Sequence, residues 1–264
     1  MALSLTKPTH DCVLLVTFGP KNFKSFKAHS LQLIELQAKA MNIPHILIEI
    51  GEEGKTHLEC YREKIAEIKQ QYNLDLLVTG TTQISQLLKK KVAWLTNLFL
   101  LTSIPPISHL SLDCSTHSIG LSDNNQIGDI LNVCDNFMTR ATQDIIELSC
   151  PIWAIDRHKL LDGLFERQFE LLITCASIKK LGDDEELTRQ FVGARLTKEF
   201  QESTLQPREK EVDMGGELGE FHTMVLAAPE LYNGYKIEFE GRQIVEGEYM
   251  YMEFDSLRLV HKDE

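Results

Sequence analysis

Residues 216–223 read G-E-L-G-E-F-H-T and carry two carboxylates three positions apart in a glycine-containing segment. Acids at this spacing could support a cation or a bound substrate, or they could be the solvated acids of a surface turn. The residues alone make the solvated turn the simpler interpretation. A histidine and a threonine at the opening of a strand could likewise serve a site or only satisfy backbone groups. The candidate residues here are Gly216, Glu217, Gly219, Glu220, His222 and Thr223.

A second segment with ionisable side chains is residues 151–157, which read P-I-W-A-I-D-R. It comes at the end of a predicted strand over residues 150–154, and open α/β sheets bind ligands beyond the carboxyl ends of their strands. Trp153, Asp156 and Arg157 could therefore line a site. Alternatively, Trp153 packs into the core and Asp156 caps the helix predicted over residues 158–168. The sequence favours neither interpretation.

The elements that must position these segments alternate between strands and helices in the first half of the chain. This alternation indicates βαβ units and a mostly parallel sheet. We expect strands over residues 12–18, 45–50, 74–78, 150–154 and 171–176, and helices over residues 30–41, 58–72, 135–148 and 158–168. Ser30 is the expected N-cap of the first helix. Residues 199–211 resemble a polar linker, and later patterns predict strands over residues 222–227, 235–240 and 249–254.

These patterns predict an α/β protein of two domains. We expect a Rossmann-like, mostly parallel sheet over residues 1–150, followed by a smaller, more β-rich α+β domain over residues 151–264. The regular pattern fails over residues 81–128, a stretch that is too long for an ordinary connection in a compact domain.

The composition excludes several classes of partner. A formal net charge of −12 over 264 residues argues against a nucleic-acid backbone, because phosphate neutralisation needs clustered lysine and arginine. No apolar run reaches the ~20 residues of a membrane-spanning helix, so no membrane partner is expected. The six cysteines include no C-x-x-C pair, so no zinc knuckle is indicated and no metal ligand is assigned. Free thiols in the cytoplasm are the simplest interpretation.

Together, residues 151–157 and 216–223 resemble two motifs of the diphthine–ammonia ligase (diphthamide synthetase) family, a branch of the ATP-pyrophosphatase or PP-loop group. The family patterns are similar to P-L-W-G-R-D-R and G-E-x-G-E-[FY]-[HE]-T. Residues 192–196, V-G-A-R-L, resemble the family's L-G-R-x-L, and residues 36–44 resemble its L-Q-A-x-A-L-G-I-P helix end. The chain departs from the family where Ala154 and Ile155 replace Gly-Arg, and where Gly215 stands in place of a frequent cysteine.

The resemblance implies an ATP-dependent ligase that amidates diphthine on elongation factor 2, the last step of diphthamide synthesis. A carboxylate would be activated as an acyl-adenylate with release of pyrophosphate, and ammonia would then attack the carbonyl. ATP and Mg²⁺ are the implied cofactors, elongation factor 2 and ammonia the implied partners, and the cytoplasm the implied location. Catalysis would fall to Glu217 and Glu220. Nucleotide or substrate binding would fall to His29, Gly80, Asp129, Trp153, Asp156, Arg157, Gly216, Gly219, His222 and Thr223.

The largest departure concerns the phosphate-binding loop, since no segment resembles the family's S-G-G-K-D-S. Residues 19–25 follow a strand, but Pro20 lacks a donor N–H and Gly19 is the only glycine of the segment. If residues 12–18 correspond to the family's second strand, the first strand and the loop belong upstream and the sheet is truncated. The alternatives are a non-catalytic paralogue or binding module, and an amidating enzyme with another substrate.

Residues 81–128 interrupt a family-like order of residues. Residues 78–80 read V-T-G, and Asp129 is followed by isoleucine. Joining Gly80 to Asp129 restores V-T-G-D-I, as in the family. We therefore expect residues 81–128 to be an insertion, with Gly80 and Asp129 close in space.

Overall fold

The computed structural model describes residues 11–20, 28–80, 136–153 and 155–262. Within these ranges the strands are β1 (Leu15–Pro20), β2 (His45–Ile50), β3 (Leu76–Val78), β4 (Glu147–Ser149), β5 (Glu170–Ser177), β6 (Phe221–Ala227), β7 (Tyr235–Glu246) and β8 (Tyr249–His261). The longer helices are α1 (Leu31–Met41), α2 (His57–Tyr72), α3 (Asn136–Thr142), α4 (Arg157–Glu166) and α5 (Glu185–Phe191). Shorter helical pieces are Lys179–Leu181, Lys198–Phe200, Gln201–Leu205 and Gln206–Arg208.

Two parallel strand pairs belong to the first half of the chain. β1 pairs with β2 in the register Leu15↔His45, and β3 pairs with β4 in the register Leu76↔Glu147. Helix α1 connects β1 to β2, and α2 connects β2 to β3. Parallel neighbours need such crossover connections, which the sequence predicts here. The expected mixed α/β class is therefore confirmed.

One predicted helix and one predicted strand are wrong. The helix expected over residues 135–148 ends at Thr142, and Asp144 then adopts a left-handed backbone conformation with φ 62°. The strand expected over residues 150–154 is instead Glu147–Ser149, and residues 151–153 form a turn. The apolar residues after position 144 continue the helical spacing, so periodicity alone could not reveal the change.

The second half of the chain is built on an antiparallel sheet with the strand order β6-β5-β8-β7. Strands β7 and β8 form a hairpin paired from Tyr235↔His261 to Glu246↔Tyr249, so both run further than their sequence patterns predict. The V-G-A-R-L segment lies along β5, where the Gly193 N–H donates to Ile173 O at 2.8 Å. This segment therefore extends the sheet.

A continuous apolar core includes residues from both halves of the chain. Helix α1 docks on the antiparallel sheet, since Gln37 Nε2 donates to Val225 O at 2.8 Å and Asn233 Nδ2 donates to Ala40 O at 3.1 Å. Ser30 Oγ accepts from Leu33 N at 3.3 Å, which confirms the predicted N-cap. The division into domains at residue 150 stays a prediction.

Residues 199–211 are not the polar linker that their composition suggests. Most of them belong to the short helices between Lys198 and Arg208, and Leu205 is fully buried.

The expected insertion over residues 81–128, together with Asp129, lies outside the described residues. Cys12, Cys60 and Cys175 are free thiols, whereas Cys150 is disulfide-bonded and departs from the expectation. In the described part of the chain, no helix is long and apolar enough to cross a membrane.

Candidate functional site

The segment before β6 is a tight turn organised by Asp213. Its Oδ1 accepts from the backbone N–H groups of Gly215 at 2.8 Å and Glu217 at 3.2 Å. Gly216 has φ 69°, and a Cβ atom there would collide with the carbonyl oxygen of Phe221. Only glycine combines this left-handed backbone with so close an approach. Gly216 and Asp213 thus set the path of the chain that leads into Glu217.

Glu220 is buried, with 3% of its surface exposed. Its Oε1 accepts from the backbone N–H of Asp213 at 3.1 Å, while its Oε2 is buried without a hydrogen-bond partner. Burial raises the pKa of Glu220 above its ordinary value; the Asp213 charge adds to this rise, and Lys180 opposes it. Glu217 is half-buried. The solvated-turn interpretation therefore fails for Glu220.

The two motif segments meet through an ion pair between Arg157 and Asp213. Arg157 Nε lies 3.5 Å from Asp213 Oδ1, and the two side chains are only 12% and 14% exposed. The preceding residue, Asp156, caps α4 by accepting from His158 N at 3.1 Å and Lys159 N at 3.2 Å. The geometry of Asp156 thus matches the capping interpretation. Arg157 reaches the glutamate turn.

Two histidines, His29 and His222, meet near the start of β6. The rings of His29 and His222 make an edge-to-face contact with centroids 5.1 Å apart. Burial, followed by the positive charge of Lys180, lowers the pKa of His222 to about 4. Burial and His222 lower the pKa of His29 well below its ordinary value. Both imidazoles are therefore neutral at neutral pH, and Thr174 Oγ1 anchors the His29 segment by donating to Ala28 O at 2.7 Å.

Gly80 and Trp153 lie at the carboxyl edge of the β3–β4 pair. Thr79 N donates to Ser149 O at 2.9 Å, and both Thr79 and Gly80 are buried. Trp153 is half-buried in the turn that follows β4. This edge connects along the chain to Arg157 and so to the glutamate turn. Thr223 is half-buried on β6, where it pairs with Ile173. The ligand roles expected for these residues stay predictions.

Two polar residues that shape the turn, Asp213 within it and Lys180 from another segment, were not predicted from the sequence. Asp213 precedes the glycine pair in D-M-G-G-E, and a side-chain acceptor just before a glycine turn is a recognisable signal. Lys180 comes from the segment after β5, where its Nζ donates to Leu218 O. Gly219, with φ 81°, leaves room for this lysine, because a Cβ atom there would lie 2.8 Å from Nζ. Nothing in the sequence links Lys180 to the turn.

The described residues contain no group of three or more histidine, cysteine or acidic side chains that could hold a metal ion. Glu220 has one oxygen committed to a backbone donor, and the glycines of the turn accommodate Phe221 and Lys180. One cavity of about 650 Å³ lies between β2 and α2, and another of about 450 Å³ lies beside Glu248. Neither is lined by Glu217 or Glu220.

The chain is similar to a known family over much of its second half. The family model for the diphthamide synthase C-terminal domain matches residues 156–259, a range that holds Arg157, Asp213 and both glutamates. No curated protein matches the chain significantly. The resemblance seen in the motif segments is thereby confirmed over the matched range. Residues 156–259 of this chain are therefore similar to the C-terminal domain of diphthamide synthases.

Proposed function

We propose that the chain acts in diphthamide synthesis, as an ATP-dependent ligase that amidates diphthine on elongation factor 2. In this reaction the carboxyl group of diphthine is activated by ATP with loss of pyrophosphate. Ammonia then forms the C–N bond, and AMP leaves. The observation that carries the proposal is the glutamate turn, in which a buried Glu220 keeps one oxygen without a partner inside a matched diphthamide synthase domain.

In this reaction the two glutamates bind and position ammonia. Unpaired buried carboxyl oxygens are costly, and native proteins retain them where a function needs them. Glu220 Oε2 provides an acceptor for an N–H donor such as ammonia, while Asp213 holds Oε1. His222, two residues along the chain, is neutral at neutral pH and adds no competing positive charge. Glu217, half-buried in the same turn, supplies a second carboxylate.

ATP binding is the part of this proposal that rests on the family resemblance alone. The resemblance implies a Rossmann-like domain, and the two parallel pairs with their crossover helices are compatible with one. Leu15, Val16 and Phe18 of β1 are all at most 4% exposed, as in a strand buried on both faces. We assign no described residue to the nucleotide. ATP with Mg²⁺, elongation factor 2 and the cytoplasm remain parts of this proposal.

A direct assay tests the proposal. The purified chain is incubated with Mg-ATP, ammonium chloride and elongation factor 2 that carries diphthine. Pyrophosphate release and mass spectrometry of the modified residue report amidation. We expect Glu220→Gln and Glu217→Gln to lower turnover by at least roughly tenfold, as the loss of a positioned acid–base group does. Glu240→Gln, an exposed position on β7, is the matched control. Equal turnover in all four proteins would contradict the roles of the glutamates.

The absence of S-G-G-K-D-S from the 264 residues favours a second candidate, a non-catalytic paralogue or binding module. Such a protein would bind elongation factor 2 without turning over ATP. Calorimetry with Mg-ATP and with diphthine-bearing elongation factor 2 separates the two. Binding of the elongation factor without pyrophosphate release supports the binding module. Pyrophosphate release with a different carboxylate acceptor supports an amidating enzyme of the same group with another substrate.

A further inference from the structure

The outer edge of strand β2 presents a regular row of backbone hydrogen-bonding groups. Over the ranges that the structure describes, β2 pairs with β1 alone, in a two-stranded parallel sheet. Leu15 N donates to Pro44 O at 3.0 Å, so alternate residues of β2, counted from Pro44, direct their backbone groups towards β1. The N–H and C=O groups of the other set, His45, Leu47 and Glu49, therefore point outward.

This edge lacks the features that usually protect an exposed strand. β2 reads H-I-L-I-E-I, holds no lysine or proline, and pairs with β1 without a bulge. Its apolar residues 46–48 are only partly buried. Apolar edges of this kind are templates for pairing with another strand, and natural proteins protect them with charges, prolines or bulges. The edge of β2 is therefore suited to strand pairing.

The space beside the edge has room for a further strand. The cavity of about 650 Å³ between β2 and α2 runs along residues 46–52, and its opposite wall is the side of α2 that carries Lys64, Ile68 and Tyr72. Apolar side chains from both walls line it. A strand added here would pair with the backbone edge of β2 and pack alternate side chains against α2.

A second copy of β2 fits this edge in one antiparallel register. Centring the pair on Leu47 places Leu47 opposite its own counterpart, and by two-fold symmetry it places His45 opposite Glu49 of the second copy twice. All three outward-facing residues then exchange hydrogen bonds with the residues opposite them. His45 Nε2 is hydrogen-bonded to Thr17 Oγ1 at 2.9 Å, so Nδ1 is the ring atom that meets the carboxylate. A shift by two residues in either direction separates both imidazole–carboxylate pairs.

We propose that the chain forms a symmetric dimer in which two β2 strands pair antiparallel about Leu47. The two β1–β2 pairs then join into one sheet of four strands. A second copy is favoured over an unrelated strand because the edge is complementary to itself: His45 and Glu49 lie two residues to either side of Leu47. The glutamate turn takes no part in this interface, so the dimer is independent of the proposed amidation.

Sedimentation equilibrium of the full chain tests the dimer. We expect the apparent mass to rise with concentration from 30.1 kDa towards twice that value. Glu49→Lys removes the carboxylate opposite His45 and adds a lysine to the edge, so the dissociation constant of the dimer should rise at least roughly tenfold. Glu240→Lys makes the same charge change at an exposed position of β7 and should leave the dissociation constant unchanged. Circular dichroism checks that both variants fold.

A cysteine at the two-fold axis tests the register. Cys12→Ser removes an exposed native thiol and gives the background protein. Adding Leu47→Cys to it brings two thiols together, because the Cα atoms of directly opposed, hydrogen-bonded residues are about 5.5 Å apart, within disulfide range. We expect mild oxidation to yield a covalent dimer here, and none from the background protein or from the same protein with Glu240→Cys.

Three results would overturn the proposal. A single mass of 30.1 kDa at every concentration up to about 1 mM would exclude the second copy and leave the edge to a strand of another polypeptide. A dimer that Glu49→Lys does not weaken would place the interface elsewhere on the chain. Failure of the Leu47→Cys protein to cross-link would exclude the pairing centred on Leu47.

Discussion

Arg157 and Asp213 face each other at 3.5 Å in a nearly buried ion pair that joins the start of α4 to the glutamate turn. Asp213 also receives two backbone N–H groups on the same oxygen, and its own N–H holds Glu220. One side chain thus connects the two segments that carry the family resemblance. The position of Glu220 depends on this connection.

Replacing Asp213 should destabilise the protein more than replacing an exposed capping aspartate. Asp213→Ala removes the acceptor of two backbone N–H donors and one ion-pair partner of Arg157, which costs about 2–4 kcal/mol. Asp213→Asn keeps an acceptor oxygen and should cost less. The control is Asp184→Ala, which removes an N-cap that accepts from Leu187 N at 2.9 Å and should cost about 1 kcal/mol. Urea unfolding measures all three, and equal losses for the two alanine variants would contradict the central role of Asp213.

Alanine at position 216 should lower the free energy of unfolding far more than alanine at position 247 does. Both glycines have positive φ, 69° and 62°, so both variants incur the left-handed backbone strain of about 1–2 kcal/mol. A Cβ at Gly247 meets nothing within 4 Å, whereas a Cβ at Gly216 collides with the Phe221 carbonyl. Gly216→Ala should therefore cost roughly 3 kcal/mol or more in the free energy of unfolding. Similar unfolding midpoints for the two variants would show that the turn is not built as described.

Lys180→Met should raise the pKa of both His222 and Glu220. The positive charge of Lys180 disfavours protonation of the imidazole and favours ionisation of the carboxyl, so its loss moves both groups in the same direction. NMR titration of the His222 ring, which should have its midpoint near pH 4 in the wild type, measures the first effect. Lys179→Met, a change of the adjacent exposed lysine, is the matched control. A midpoint that moves equally in both variants would contradict the specific contact.

Glu220→Gln should become more stable relative to the wild type as the pH rises. Burial raises the pKa of Glu220 in the folded chain, so the folded state binds this proton more tightly than the unfolded state does. Wild-type stability is therefore lost as pH rises from the ordinary glutamate value through the folded pKa. His222 acts in the opposite sense, since its lowered pKa reduces stability as pH falls towards about 4. That contribution is present in both proteins and cancels in their difference. Urea unfolding between pH 4 and pH 7 checks the prediction, and a constant difference would refute it.

The local elements follow from the sequence because their signals lie within a few residues. Thr56 and Glu59 form a reciprocal capping box at the start of α2, and Ser30 caps α1 through a residue three positions ahead. The motif residues 216–223 likewise indicate their family directly from their types and spacing. Such information is carried by short-range chemistry, so no knowledge of the rest of the chain is needed.

Only the tertiary structure decided which of these residues meet. His29 contacts His222, Arg157 contacts Asp213, and Lys180 reaches the glutamate turn from the segment after β5. Each contact joins segments far apart in the sequence, and no periodicity or spacing encodes which partner is chosen. The same holds for Glu147–Ser149, which is a strand because it pairs with β3, although its neighbours continue a helical pattern. Burial is likewise a property of the packed chain: it turned Glu220 from an ordinary surface acid in the sequence into a buried carboxyl with one oxygen unpaired.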